Sequence, residues 1–428
     1  MTEESKAEPH ERLRLLFKIQ ATVIMNKYLF ALIASMLLLT CGGCRNERAK
    51  RMDPVNMSDI KIKDDFWMPY LLIHKDVTLP VCVDWIEKNF DSAMVAKAAE
   101  GIAFSLQFED DPELKVKRGN WTTRLKSGSH QVLPLPAPNE INAAAASFFE
   151  EAESLLASGK GVYADNMENV LFNKLLASIS LKGDRFSNEI PLSSRGDWSR
   201  VSWEDAPSSA VDLFRVIPSV GNYAYGTSKG TLWVNLFMGG TAKVEIAGEE
   251  ITIDQATSYP WDGYMSLRLG LREPVDAEIR VRIPSWCEDF TITINGASMN
   301  VPVESGYALL KRKWQNADNI ELILDMPVVM TDTGVFGRNE EGKRIVRRGP
   351  IVYCVEDIDN PFDYESIHLS KETIFTLEEL PREKWWGHGL TQIKARVSDE
   401  QTLSLIPYFA WGNRTPGKME VFIPYVDE

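Results

Sequence analysis

The residues whose chemistry is most tightly bounded by spacing are the five cysteines, Cys41, Cys44, Cys82, Cys287 and Cys354. Only Cys41-Gly-Gly-Cys44 has the C-x-x-C spacing, so neither a zinc ribbon nor a disulfide framework is written in the chain. That pair follows Tyr28-Leu-Phe-Ala-Leu-Ile-Ala-Ser-Met-Leu-Leu-Leu39, with Lys27 at its positive end. A run of about 12 apolar residues is short for a membrane span and suits an export signal. Small residues beside a cysteine at its end suit bacterial lipoprotein processing, with the acyl chains on Cys41 or Cys44. Met25 begins a complete signal by itself, so translation is expected to start there; a long n-region is the alternative. The histidines His74, His130 and His368 have no metal-like spacing. Trp385-Trp386-Gly-His388 offers either a platform for sugar rings or, more simply, core packing.

These groups must be held by a sizeable fold. A length of 428 residues corresponds to about three domains. Apolar residues at 44%, aromatic residues at 10% and charged residues at 25% describe a globular chain. With 47 basic against 61 acidic residues the net charge is −14, which gives no electrostatic footprint for nucleic acid. Arg45–Asp59 reads as a polar spacer, and Thr78-Leu-Pro80 as an extended entry to a first helix near Val81–Asn89. Ser92–Phe108 places Val95, Ala99, Ile102 and Leu106 on one face, the stripe of a core-facing helix. Lys115–Asn139, with Gly119, Gly128 and three prolines, reads as a loop. Helices return at Glu140–Ala157, Tyr163–Ala177 and Ser208–Val220. From Gly221 the pattern becomes short alternating runs, such as Thr231–Phe237, Ala277–Ile283 and Asn319–Leu324, the texture of a β-sandwich.

Longer motifs then fall in one order: Ser180-Leu-Lys-Gly-Asp-Arg-Phe186, Arg215-Val-Ile-Pro-Ser219, Tyr259-Pro-Trp-Asp-Gly263, Arg282-Ile-Pro-Ser-Trp-Cys287, Arg348-Gly-Pro-Ile-Val-Tyr-Cys354 and Leu405-Ile-Pro-Tyr-Phe-Ala-Trp-Gly-Asn-Arg414. Together they resemble glycoside hydrolase family 127, the β-L-arabinofuranosidase family, over residues 60–114 and 139–428. The resemblance implies an α+β multidomain chain. Its parts would be a signal or lipoprotein segment at 1–44, a truncated, internally deleted (α/α)6 toroid of the six-hairpin glycosidase type at 60–220, and β-sandwich domains at 221–330 and 331–428. It also implies a zinc-held cysteine thiolate as nucleophile and a glutamate as acid/base.

Carried over residue by residue, the family's Cys-Cys-Pro-x-Asn block, five residues after Trp203 and before Arg215, falls on Ser208-Ser-Ala-Val-Asp212. Ser208 thus holds the nucleophile position and Ser209 a zinc position. The Glu-x-Cys motif falls on Glu140-Ile-Asn142, which leaves Glu140 and Asn142 at the other two. The acid/base glutamate belongs in Trp121–Pro138, which contains no Asp or Glu. One carboxylate, one amide and two hydroxyls make a poor zinc set, so no zinc is expected here. Without a metal or base, Ser208 is not activated; His130 is a weak candidate for that base. Glu204, Asp205 and Asp212 could pair with Glu140 as two-carboxylate glycosidases do, or be surface charges and a helix flank. The helical part is also short, since twelve helices with their connections need roughly 200 residues. The implied partner is a plant cell-wall oligosaccharide or polysaccharide, with membrane contact only through a lipid anchor in a periplasmic or outer-membrane lipoprotein. Three readings stay open: an exported hydrolase, a non-catalytic carbohydrate-binding protein, and a relic.

Overall fold

A computed structural model describes residues 52–127 and 139–427. The apolar run at 28–39, Cys41, Cys44 and His130 lie outside the described residues. Lys50–Glu428 form one compact unit.

Helices build the front. Helix α1 (Trp67–Ile73) passes through a π turn at His74–Thr78 into α2 (Leu79–Asn89). Thr78-Leu-Pro80 is therefore helical rather than extended: the π turn runs directly into α2, with Thr78 and Leu79 both in the right-handed helical region. Helix α3 (Ser92–Phe108) is capped by Asp91, whose carboxylate accepts from Ala93 N and Met94 N. Helix α4 (Pro112–Lys126) replaces the front half of the expected Lys115–Asn139 loop. Asp111 caps it, Pro112 opens it, and Trp121 buries its ring while donating from Nε1 to Glu87 at 2.6 Å. Gly119 does not break it. Helix α5 (Glu140–Ser158) starts with a reciprocal Asn139/Asn142 capping box and ends on Gly159 in the left-handed region. Helices α6 (Gly161–Val170) and α7 (Pro207–Ser219) complete the set.

Three sheets follow. The first runs Asp53–Pro54, Tyr225–Ser228, Thr231–Val234, Val275–Arg282, Tyr307–Trp314, Val303–Glu304. All of its pairings are antiparallel except Thr231–Val234 with Val275–Arg282. The second carries seven strands from Ala297–Met299 across Glu249–Thr257 to Ile60–Ile62 at its edge. Alternating burial along Gly240–Ile246 and Glu249–Thr257 puts one face inward. The two sheets meet inside, where Tyr225 of the first donates its hydroxyl to Gln255 of the second at 2.6 Å. The third sheet is nine-stranded among the described residues and C-terminal, centred on Ile351–Glu356, which is buried along its whole length. The architecture is thus α+β, a helical front followed by sandwich-like sheets.

Three details depart from the sequence reading. Arg45–Asp59 is not all spacer: Met52 is buried, and Asp53–Pro54 pairs with Gly226 and Thr227. Ile60–Ile62 pairs with Gly240–Ala242, and Ser193–Arg195 joins the C-terminal sheet through Lys418–Glu420. Short strands therefore precede and interrupt the helical front and tie it to the sheets.

Candidate functional site

The first turn of α5 and the first turn of α7 meet, and this meeting holds three of the four residues at the implied zinc and nucleophile positions. Asn142, third residue of α5, donates from Nδ2 to the Ser208 carbonyl at 3.0 Å and to Asp212 Oδ2 at 2.7 Å. Its Oδ1 accepts from the Ser208 hydroxyl at 3.1 Å and from Asn139 N at 3.3 Å. Ser209 is fully buried; its hydroxyl donates to Asn188 Oδ1 at 2.6 Å and accepts from Asn139 Nδ2 at 2.9 Å. Glu140 stays apart. Its exposed carboxylate accepts from Ile190 N at 2.7 Å.

Beneath this layer lies a charge network that sequence reading missed. Asp212 is 1% exposed. Lys97 of α3 reaches its Oδ2 at 2.7 Å and Arg215 reaches its Oδ1 at 3.5 Å. Arg215 also pairs with Glu100 at 2.9 Å and lies over the Phe149 ring. The helices approach closely because Gly101 gives α3 a bare spot: a Cβ there would stand 2.5 Å from the Phe214 ring. The one sequence signal was the position of Asp212 itself; Lys97, Glu100 and Asn188 come from other elements and carry no local motif.

The arrangement decides what chemistry is open to these residues. Ser208 has an amide oxygen as its neighbour, not a base, and Ser209 has two amides. An unactivated hydroxyl is a poor nucleophile. Asp212 is sealed and held by two cations, so it cannot reach a sugar; of the two alternatives it is the helix-flanking residue, and no pair with Glu140 is formed. Asp205 accepts from Ser202 at 2.8 Å, and Glu204 is exposed. Among the described residues no three His, Cys, Asp or Glu side chains converge on a metal position. The donors here do not fit zinc: hydroxyl and amide oxygens are hard, weak ligands, and each is engaged within the protein.

The other candidates are structural. His74 packs on Phe214, shares a hydrogen bond with Ser105 at 3.0 Å and is held neutral by burial, which drives its pKa down to about 3. Trp385 and His388 are both buried, His388 against the Leu181 carbonyl at 3.0 Å, so that segment packs the interior. Cys82, Cys287 and Cys354 are buried free thiols, each raised by desolvation.

Comparison with known proteins identifies two domains of one family. Residues 231–326 match the β-L-arabinofuranosidase GH127 middle domain and residues 335–424 the glycoside hydrolase family 127 C-terminal domain. The chain carries the middle and C-terminal domains of glycoside hydrolase family 127. A curated relative, the non-reducing end β-L-arabinofuranosidase of Bifidobacterium longum subsp. longum, is 28% identical over 301 residues, 61% of this chain and 45% of the relative. The chain thus spans under half of that relative's length. The solved GH127 β-L-arabinofuranosidase of Geobacillus stearothermophilus T6 is 27% identical, with a TM-score of 0.61 over 77% of this chain and 59% of that one. A further solved GH127 β-arabinofuranosidase shares the fold at 19% identity, with a TM-score of 0.77 over 89% of this chain and 99% of that one. A short helical front with family 127 sheets is therefore an architecture found in another solved chain. Resemblance and structure agree on a glycoside hydrolase-like protein.

Proposed function

We propose that the chain is an exported, glycan-binding member of family 127 whose helical part does not hydrolyse its ligand. The observation that carries this is the closed network of Asn142, Ser208 and Asp212. It uses the positions where the family resemblance expects a thiolate and its metal to bond α5 to α7 instead. The ligand class is an arabinose-bearing plant cell-wall glycan, supported by the arabinofuranosidases to which the chain is similar. Export is supported by the apolar run 28–39 and by Cys41 and Cys44, one of which would carry lipid in a periplasmic or outer-membrane lipoprotein.

The hydrolase reading has its own support in the 28% identity to a β-L-arabinofuranosidase. Incubating the purified chain with synthetic β-L-arabinofuranosides and plant arabinoglycans, beside Glu140→Ala, separates the two. The expected result is binding to arabinoglycan without release of free sugar, from protein containing far less than one zinc per chain. Sugar release that disappears in Glu140→Ala would overturn the proposal and restore an enzyme with a substitute nucleophile.

A further inference from the structure

A cavity of about 670 Å3 lies between the second sheet and the C-terminal sheet and shares no residue with the Asn142–Ser208 cluster. Its size falls within the range of about 300–1,000 Å3 usual for small-ligand sites. The wall is built by the end of the Glu249–Thr257 strand, the Tyr259–Asp262 turn, Arg348, and the Ile374–Leu380 strand with Leu377 and Glu379.

Three donors on residues of that wall, Gln255 Nε2, Trp261 Nε1 and Arg348 Nε, are buried and have no acceptor in the protein. Gln255 is 2% exposed; its Oε1 accepts from the Tyr225 hydroxyl and its Nε2 has no partner in the protein. Arg348 is 8% exposed, and its other contact is a bond from Nη1 to the Trp261 carbonyl. Buried donors left unpaired are costly, and a native fold keeps them where something else satisfies them.

The lining also selects the ligand's charge. It holds five carboxylates, Asp64, Asp65, Asp254, Asp262 and Glu379, against Lys63, Arg348 and Arg382. Asp64 is consumed by the backbone N–H groups of Phe66, Trp67 and Gly239, and Asp65 by Arg382 at 2.7 Å. What is left is acidic overall and repels an anion, while its carboxylates accept from hydroxyls. Trp261 is half-buried, in edge contact with Phe66, and offers part of its ring to C–H groups. Groups that both donate and accept, next to an aromatic surface, describe a sugar.

We propose that this cleft binds a neutral oligosaccharide, with Trp261, Arg348, Gln255 and Glu379 as its recognition residues, directly or through bridging water. The proposal rests on the glycan-binding reading and moves the binding site from the helices to the sheets. The test titrates the full chain with arabinan-derived oligosaccharides, and with xylan- and mannan-derived ones, by calorimetry. It compares wild type with Trp261→Ala, Glu379→Gln and Asn142→Ala. The expected result is binding to the arabinan set, weakened tenfold or more by Trp261→Ala and threefold or more by Glu379→Gln, with Asn142→Ala within twofold of wild type. Binding by wild type that both cleft variants retain overturns the cleft and leaves the glycan reading standing. Cleft-dependent binding to xylan or mannan sets alone keeps the cleft and overturns the arabinose class; no binding to any set overturns both. If Trp261→Ala fails to fold, hydroxyl-radical footprinting of wild type decides: protection at Trp261 with glycan supports the site, and unchanged labelling overturns it.

Discussion

At the scale of single residues, Asp212 is where the helical part is most exposed to damage. Removing it takes Lys97's partner, leaves Arg215 only Glu100, and takes an acceptor from Asn142. Breaking such a buried charge pair costs about 3 kcal/mol. Asp212→Ala should lower the denaturant midpoint accordingly with the slope unchanged, whereas Ser208→Ala, which loses one partly exposed hydroxyl bond, should cost under about 1 kcal/mol. Equal midpoints for the two variants would show that the network does not hold α3, α5 and α7 together. Asp64 gives a different signature. Burial lifts its carboxyl from 3.8 to about 6, overcoming the backbone N–H groups that favour the ionised form. Between those values the folded state holds more protons than the unfolded one, so this group's contribution falls as pH rises from 3.8 to about 6. The loss, on the order of 3 kcal/mol, is fully present above pH 6. Urea titrations at pH 4.5 and pH 7 should show Asp64→Asn gaining stability relative to wild type on going to pH 7; a parallel pair of curves would remove Asp64 as the cause.

At the scale of elements, the crossing of α3 and α7 depends on Gly101. A methyl there would meet the Phe214 ring at 2.5 Å and the Arg215 Cα at 3.2 Å. Gly101→Ala gains helix propensity but overpacks the crossing, and the second effect wins by about 1–3 kcal/mol. A thermal midpoint at or above wild type would contradict that. The same elements show what could be read from the chain. Ser92–Phe108 and the start of α5 were legible because their apolar stripes and caps are local. Pro112–Lys126 was not: its exposed face is polar, Gly119 and the prolines farther on gave the texture of a loop, and the Asp111 cap is evident only in the structure. The candidate site was half legible for a related reason. Motif spacing pointed to Asn142 and Ser208, but Lys97, Asn188 and Glu100 enter by tertiary packing from segments with no pattern of their own. The sandwich strands were clear from their period of two, except Asp53–Pro54 and Ile60–Ile62, which are too short to show one.

At the scale of the whole molecule, the sheets and helices are not separable modules. A fragment starting at residue 221 would lack Asp53–Pro54 and Ile60–Ile62, baring the edges at Tyr225–Ser228 and Gly240–Ile246. It should melt below the full chain and associate through those edges; a monomer with the full chain's midpoint by light scattering and calorimetry would refute this. Other ties cross the same boundary. Arg282 in the first sheet pairs with Asp165 and Glu168 of α6 at 2.6 Å each, and Asn173 bonds the Pro350 carbonyl at 2.8 Å.

Those ties also order events in time. The strand partner of Asp53–Pro54 lies more than 170 residues downstream, at Gly226 and Thr227. During synthesis the opening strands emerge first and have nothing to pair with until the helices and the first hairpin of the sandwich have been made. Their closure is a long-range, late contact. Until it forms, the sandwich edges are open to other chains, so the fraction of chains that assemble correctly should depend on concentration while they fold even though the finished protein presents those edges covered.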